Sequence, residues 1–210
     1  MSSRRSTMLM VDLIILALLV CATMVFAGDV LQNGSFENPE TDLDNPFGDL
    51  AAGWGRWGNW VNRETGWKPT KKGDCMMSYH HWQIEEDSTS GFYQDISDVA
   101  DGMPVTFSIY VSKDKDTNAE FVELRIEKLN GDGPIASQIY TIDQIKNGWE
   151  KISVSGVSSG EGLRVVVMVK PLTSGARKGA LKFDEAEVTV GKGADEAGVV
   201  TRAMRGRPRI

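Results

Sequence analysis

The sequence predicts an all-β sandwich, and three observations carry that reading. After residue 28 no amphipathic helix longer than about two turns can be traced. Short runs rich in Val, Ile, Phe and Thr alternate instead with Gly, Asn, Asp and Pro, the punctuation of a sandwich or barrel. Within these runs apolar and polar residues alternate with a period of two, which gives each strand one face for a core.

Taken in order, residues 30–37 read as an opening strand, followed by a long polar loop over 38–53. Residues 75–82 and 90–96 read as the next strands. Val105, Phe107, Ile109 and Val111 then alternate with Thr106, Ser108, Tyr110 and Ser112, a clear half-buried strand. Val122, Leu124 and Ile126 repeat the pattern against Glu123, Arg125 and Glu127. Asn130-Gly131-Asp132-Gly133 tolerates positive φ and predicts a hairpin to a strand over 134–142. A strand over 149–154 follows Asn147-Gly148, and 163–170 (LRVVVMVK) is apolar on both faces, as a central strand requires. In 181–190, Leu181 and Phe183 share one parity while Ala186, Val188 and Val190 share the other. That slip predicts a β-bulge near Asp184-Glu185. The total is about ten strands, enough for two packed sheets.

The chain has 210 residues, 25% charged and 41% hydrophobic, with a formal charge of −6. Such a chain holds one domain with extensions. The acidic balance argues against nucleic acid, whose phosphates reward clustered Lys and Arg. Of two cysteines, Cys21 lies in the apolar N-terminal run and Cys75 in the domain; Cys75 reads as a small buried hydrophobe.

Residues 1–27 carry Arg4 and Arg5, an apolar run from Leu13 to Phe26, and small residues at Val25-Phe26-Ala27. A basic start, a short apolar stretch and a small-residue end describe a secretory signal. A retained N-terminal anchor is the rival reading, with Asp12 inside the span; lipidation at Cys21 is a third. The expected location is therefore secreted or cell-envelope, with membrane contact only if the segment is kept. Residues 191–210, with Arg202, Arg205, Arg207 and Arg209 and no periodicity, read as a disordered basic tail. The sandwich domain itself spans 28–190.

The ordered set Leu31-Gln32-Asn33-Gly34-Ser35-Phe36-Glu37, Gly53-Trp54, Gly91-Phe92-Tyr93-Gln94-Asp95-Ile96, the alternating strand over 105–112, Gly148-Trp149-Glu150-Lys151 and Phe183-Asp184-Glu185-Ala186 resembles the carbohydrate-binding modules of families four, nine and twenty-two. The resemblance covers residues 30–190 and implies a galactose-binding-like jelly roll of two antiparallel sheets. It implies as partner a polysaccharide or oligosaccharide, with the strand of Tyr93 and Gln94 contributing to the binding face. It also implies a structural calcium tying the first strand to the last, with Glu37 and Asp184 at the matching positions and backbone carbonyls near residues 71–73 completing the shell. Carboxylate oxygens are the hard ligands calcium prefers. Glu185 stands where these modules usually have a second Asp.

The residues support a binding reading independently. Five of the six Trp fall between positions 54 and 82, and an indole offers a rigid platform for the C–H faces of a sugar. Trp57, Trp60, Trp67 and Trp82 sit among Gly, Asn and Arg and read as loop aromatics available to a ligand; Trp54 and Trp149 read as core. Tyr93 and Gln94 are consecutive on a strand, so only one of them can face a groove. Arg125 and Glu127 share a polar strand face and could hold hydroxyls or pair with each other. His80 and His81 are the only histidines and face apart on a strand, which disfavours joint zinc chelation.

Catalysis has little support. Glu85-Glu86-Asp87 and the acidic run 184–187 lack the spacing of a paired-carboxylate glycosidase, and no nucleophile elbow, zinc-protease motif or phosphate loop is present. The expectation is a non-enzymatic glycan binder. The alternatives are a structural or adhesive envelope protein using the sandwich for protein contacts and, behind it, a jelly-roll hydrolase or lyase.

Overall fold

Alternation along the chain becomes two layers because each strand buries one parity of side chains against the facing sheet. A computed structural model describes residues 29–40, 49–58, 61–66, 69–80, 89–131, 133–172 and 178–191. The segments expected to be a signal or anchor and, almost entirely, a basic tail lie outside the described residues. The strands are β1 (Gly55–Trp57), β2 (Val61–Thr65), β3 (Cys75–Tyr79), β4 (Ser90–Ile96), β5 (Pro104–Lys113), β6 (Phe121–Lys128), β7 (Pro134–Thr141), β8 (Glu150–Val157), β9 (Leu163–Lys170) and β10 (Leu181–Val190). They form two five-stranded antiparallel sheets, ordered β1-β4-β9-β6-β7 and β2-β3-β10-β5-β8. The fold is a jelly-roll β-sandwich.

Between the sheets lie Phe92, Leu124, Ile126, Val165 and Val167 from one side and Phe107, Ile109, Val111, Leu181, Phe183 and Val188 from the other, all buried. One end of the core is aromatic. Trp54 packs against Phe36 and Phe92 with centroids 5.2 and 5.4 Å away, and Phe92 meets Phe183 at 5.5 Å, separations that suit tilted and edge-on ring contacts. Trp54 is thus core, as its sequence position suggested. Trp149 is only half-buried, just ahead of β8.

The two apolar faces of residues 163–170 are explained by position: β9 is the middle strand of its sheet. The bulge expected in the last strand is present, as a register shift between Asp184 and Glu187 with Glu185 at φ 49°.

Three expectations are corrected. Residues 30–37 are not a strand. Asp29 bridges Thr189, and the chain then turns through Asn33 (φ 52°) and Phe36 (φ 59°). Asn33 makes that turn: its amide donates to the carbonyls of Asn38 (2.8 Å) and Ala52 (3.2 Å), and its side-chain oxygen accepts from the Asn38 amide. Local Asn chemistry outweighs the alternating pattern. Second, β1 and β2 fall inside the Trp-rich stretch that reads as loops. Third, the strand expected over 75–82 ends at Tyr79.

Candidate functional site

Strand register builds a continuous surface on the outer side of the β1-β4-β9-β6-β7 sheet. Phe92 and Gln94 point into the sandwich, so Gly91, Tyr93 and Asp95 point out. Across the sheet one row runs Trp57, Gly91, Met168, Glu123, Ile139 and the next Gly55, Tyr93, Val166, Arg125, Ser137. A third contains Asp95, Arg164 and Glu127.

Two glycines shape the aromatic end. A Cβ on Gly91 would lie 2.2 Å from Cη2 of Trp57, and one on Gly55 would lie 2.4 Å from Cζ of Tyr93. Each ring therefore rests on the backbone of the neighbouring strand. The two rings are 6.4 Å apart at 34°, and the Trp57 indole N–H donates to the Thr89 hydroxyl at 3.3 Å. The Arg164 guanidinium lies 4.1 Å from the Tyr93 centroid and is gripped by both carboxylate oxygens of Asp95 at 2.6 and 2.9 Å. That bidentate bond pushes the guanidinium further above its ordinary pKa. Tyr93 is thus held between Gly55 and Arg164, and Trp57 is the ring left to offer a face.

The polar end is a charge chain. Arg125 donates to Glu123 at 2.7 Å and lies 3.6 Å from Glu127, with Met168 sulfur 3.5 Å away. The hydrogen bond to Glu123 raises the Arg125 pKa. The Arg125 Nε–H is buried with no acceptor among the described residues. Between the two ends, Val166 and Met168 are buried beneath the neighbouring side chains.

Of the residues singled out from sequence, this surface unites Trp57, Tyr93, Arg125 and Glu127. Gln94 is corrected: it is buried, accepting from the Gln32 amide (2.7 Å) and donating to the Gln32 carbonyl (2.8 Å), and so anchors the opening segment. Trp60, Trp67, Trp82 and His81 lie outside the described residues. Sequence reading missed Glu123, Asp95 and Arg164. Glu123 alone carried a signal, the polar parity of its strand; the sequences of β4 and β9 leave the outward parity of Asp95 and Arg164 open.

Glu37 and Asp184 approach the same loop, residues 71–75, but through its amides. Asp184 accepts from Lys71 (2.8 Å), Lys72 (3.0 Å) and Glu185 (2.7 Å), and Glu37 accepts from Asp74 and Cys75 at 3.1 Å. Burial pushes the Asp184 pKa up to about 6, against the downward pull of those three N–H donors. A calcium shell needs oxygen ligands where these hydrogens point. No cluster of three or more potential metal ligands occurs among the described residues. Both carboxylates therefore face amide hydrogens in this structure. Cys75, whose thiol is pushed up chiefly by burial, accepts from Arg63 Nη2 at 2.9 Å in the same clamp. His80, just past the end of β3, pairs with Glu64 at 2.5 Å.

No protein-family model matches the chain, and no curated protein does. Solved structures do. A cyclase from Fischerella sp. TAU, in complex with 4-(1H-indol-3-yl)butan-2-one, superposes with a TM-score of 0.61 at 12% identity, over 80% of this chain and 99% of that one. The CBM22-1 xylan-binding domain of Paenibacillus barcinonensis Xyn10C gives 0.52 at 20% identity, over 80% and 98%. TmCBM61 in complex with β-1,4-galactotriose gives 0.51 at 14%, over 76% and 97%. At these identities the likeness is one of fold, a fold that serves both a cyclase and carbohydrate-binding modules.

Proposed function

We propose that this domain binds a polysaccharide or oligosaccharide without cleaving it, on the outer face of the β1-β4-β9-β6-β7 sheet. The observation that carries the reading is the seating of Trp57 on Gly91 beside Tyr93, at the end of a surface edged by paired charges. A flat indole meets sugar C–H groups, and the Arg125, Glu123 and Glu127 heads supply hydroxyl partners across the sheet. Each of these charges already has an opposite neighbour, which favours an uncharged glycan. Likeness of fold to a xylan-binding domain and to a galactotriose-bound module is in keeping with this reading. Export by the N-terminal segment, as a secreted or envelope protein, is part of the same proposal.

Affinity electrophoresis through gels containing xylan, galactan or mixed-linkage glucan tests binding, and a reducing-end assay on the same polymers tests turnover. Retardation in at least one gel with no new reducing ends is the expected result. Release of reducing ends would replace binding with catalysis, and unretarded migration in every gel would remove the proposal.

A further inference from the structure

An open strand edge is a template for another strand, because its outward amides and carbonyls lack partners. Among the described residues the two sheets end in β1 and β7 and in β2 and β8. Three of these edges are blunted. β1 is only three residues long. On β2, the Arg63 amide donates to the Asp49 carbonyl at 2.8 Å and its side chain holds the carbonyls of Phe36 and Glu37 at 2.7 Å, so the chain ahead of β1 occupies that edge. β8 is stapled by β7: the Tyr140 hydroxyl donates to the Ser153 carbonyl at 2.7 Å and accepts from the Ser153 amide at 3.0 Å. A Cβ on Gly156 would lie 2.9 Å from Cβ of Ala136 in the same contact.

β7 is the exception. Its eight residues, PIASQIYT over 134–141, include no charge, and charge is a usual guard of an edge. Ser137, Gln138 and Ile139 are exposed, Ile139 to 46%. The Ile142 amide donates to the Glu120 carbonyl at 3.3 Å, in the register of the β6–β7 pairing. Residues of an antiparallel ladder alternate between its two sides, so Ala136, Gln138 and Tyr140 bond to β6. The amides and carbonyls of Ile135, Ser137 and Ile139 therefore turn to the open edge. Side chains meet part of it: Gln138 Nε2 donates to the Ile139 carbonyl at 3.1 Å, and Gln144 accepts from the Thr141 amide at 2.8 Å.

We infer that this edge takes β7 of a second copy, antiparallel across a two-fold axis. The strand is self-complementary in the register that sets Gln138 opposite itself. Ile139 then faces Ser137 and Tyr140 faces Ala136, a large side chain against a small one each time, and the two Gln138 amides bond to each other. The pairs that exchange backbone hydrogen bonds are Ser137 with Ile139, the residues already turned outward. No like charges meet. The two sheets join into one of ten strands, and the row Trp57, Gly91, Met168, Glu123, Ile139 runs on into Ser137, Arg125, Val166 and Tyr93 of the second copy. Both Trp57 faces then lie on one surface, which would strengthen binding of a long glycan by avidity. That consequence rests on the proposed function; the pairing does not.

Sedimentation velocity of the full chain over a concentration series tests the pairing, with wild type, Ile139→Lys, Ser137→Pro and Val157→Lys. An edge contact of eight residues is small beside standard interfaces of roughly 1,200 Å2 and more, so a weak dimer is expected. Ile139→Lys puts a charge on the edge and Ser137→Pro removes an amide that β6 does not use; each should weaken the dimer about tenfold or more while melting near wild type. Val157→Lys, exposed on β8, should leave it unchanged. In a Cys21→Ser background, Gln138→Cys should oxidise to a covalent dimer, because self-opposed residues bring their Cα atoms within disulfide reach. Ser137→Cys, set opposite Ile139, should not. The inference is overturned if the wild type stays monomeric at millimolar concentration, or if Ile139→Lys or Ser137→Pro, still folded, associates as wild type does. Equal dissociation by Val157→Lys, or no more covalent dimer from Gln138→Cys than from Ser137→Cys, would also overturn it. A dimer that binds no glycan would sink the proposed function alone, and a glycan-binding monomer the pairing alone.

Discussion

On the outer face of one sheet Glu123, Glu127 and Asp95 pair with arginine side chains, whereas Asp184 on the other sheet and Glu37 in the opening segment accept from backbone amides. The first arrangement can rearrange around a ligand, because guanidinium and carboxylate heads swing on flexible stems and exchange one partner for another. The second cannot, because the donors are fixed in the loop at residues 71–75 and would be left without acceptors. The same residue type thus lines the proposed binding surface in one place and a structural clamp in the other, and the identity of the donor tells them apart.

The largest effect should come from the clamp. Asp184→Ala strands three amide hydrogens beneath the surface, and a loss of about 2–4 kcal/mol in chemical denaturation is expected. A loss below about 1 kcal/mol would show that water replaces the carboxylate freely. Next comes the platform. Gly91→Ala places a Cβ 2.2 Å from the Trp57 ring and 2.3 Å from the Val167 carbonyl. Overpacking of this kind costs about 1–3 kcal/mol, and glycan affinity should fall with it because the indole is lifted from its seat. Unchanged stability and affinity would mean that Trp57 is not seated as described.

Much of this was legible beforehand, and the losses have physical causes. The β10 bulge showed as a parity slip between Phe183 and Ala186, and β9 as a run without a polar face. That same run hid Arg164, whose outward position depends on which parity of β4 faces the core. Tyr93 and Gln94 could not be separated for the same reason, since alternation says that neighbours diverge and not which one turns inward. The clamp was invisible because its donors at Lys71, Lys72, Asp74 and Cys75 are main-chain groups, and these leave no residue signature. A pair of carboxylates in the right places therefore suggested calcium, where amide hydrogens stand instead.

Two smaller effects sharpen the contrast. The folded-state pKa of Asp184 is raised to about 6 from 3.8, so the folded form binds its proton more tightly than the unfolded form. Its contribution to stability is full below the unfolded value and is lost as pH rises through about 6. Asp184→Asn removes that titration, so the stability difference between wild type and variant should shift against the wild type between pH 4 and pH 7 by denaturant midpoints. Parallel pH profiles would contradict the buried, ionisable role. The smallest effect concerns metal: addition of a chelator should leave the melting temperature unchanged, and a fall of several degrees would return Glu37 and Asp184 to calcium.

The central claim is that Trp57 on its Gly91 seat forms the glycan platform. Calorimetric titration of wild type and Trp57→Ala with the uncharged glycan that most retards the protein tests it most directly. An affinity loss of about tenfold or more, with strand circular dichroism and melting temperature near those of the wild type, is the predicted result. Equal affinity in the two proteins would contradict the claim and move the binding surface elsewhere on the sandwich.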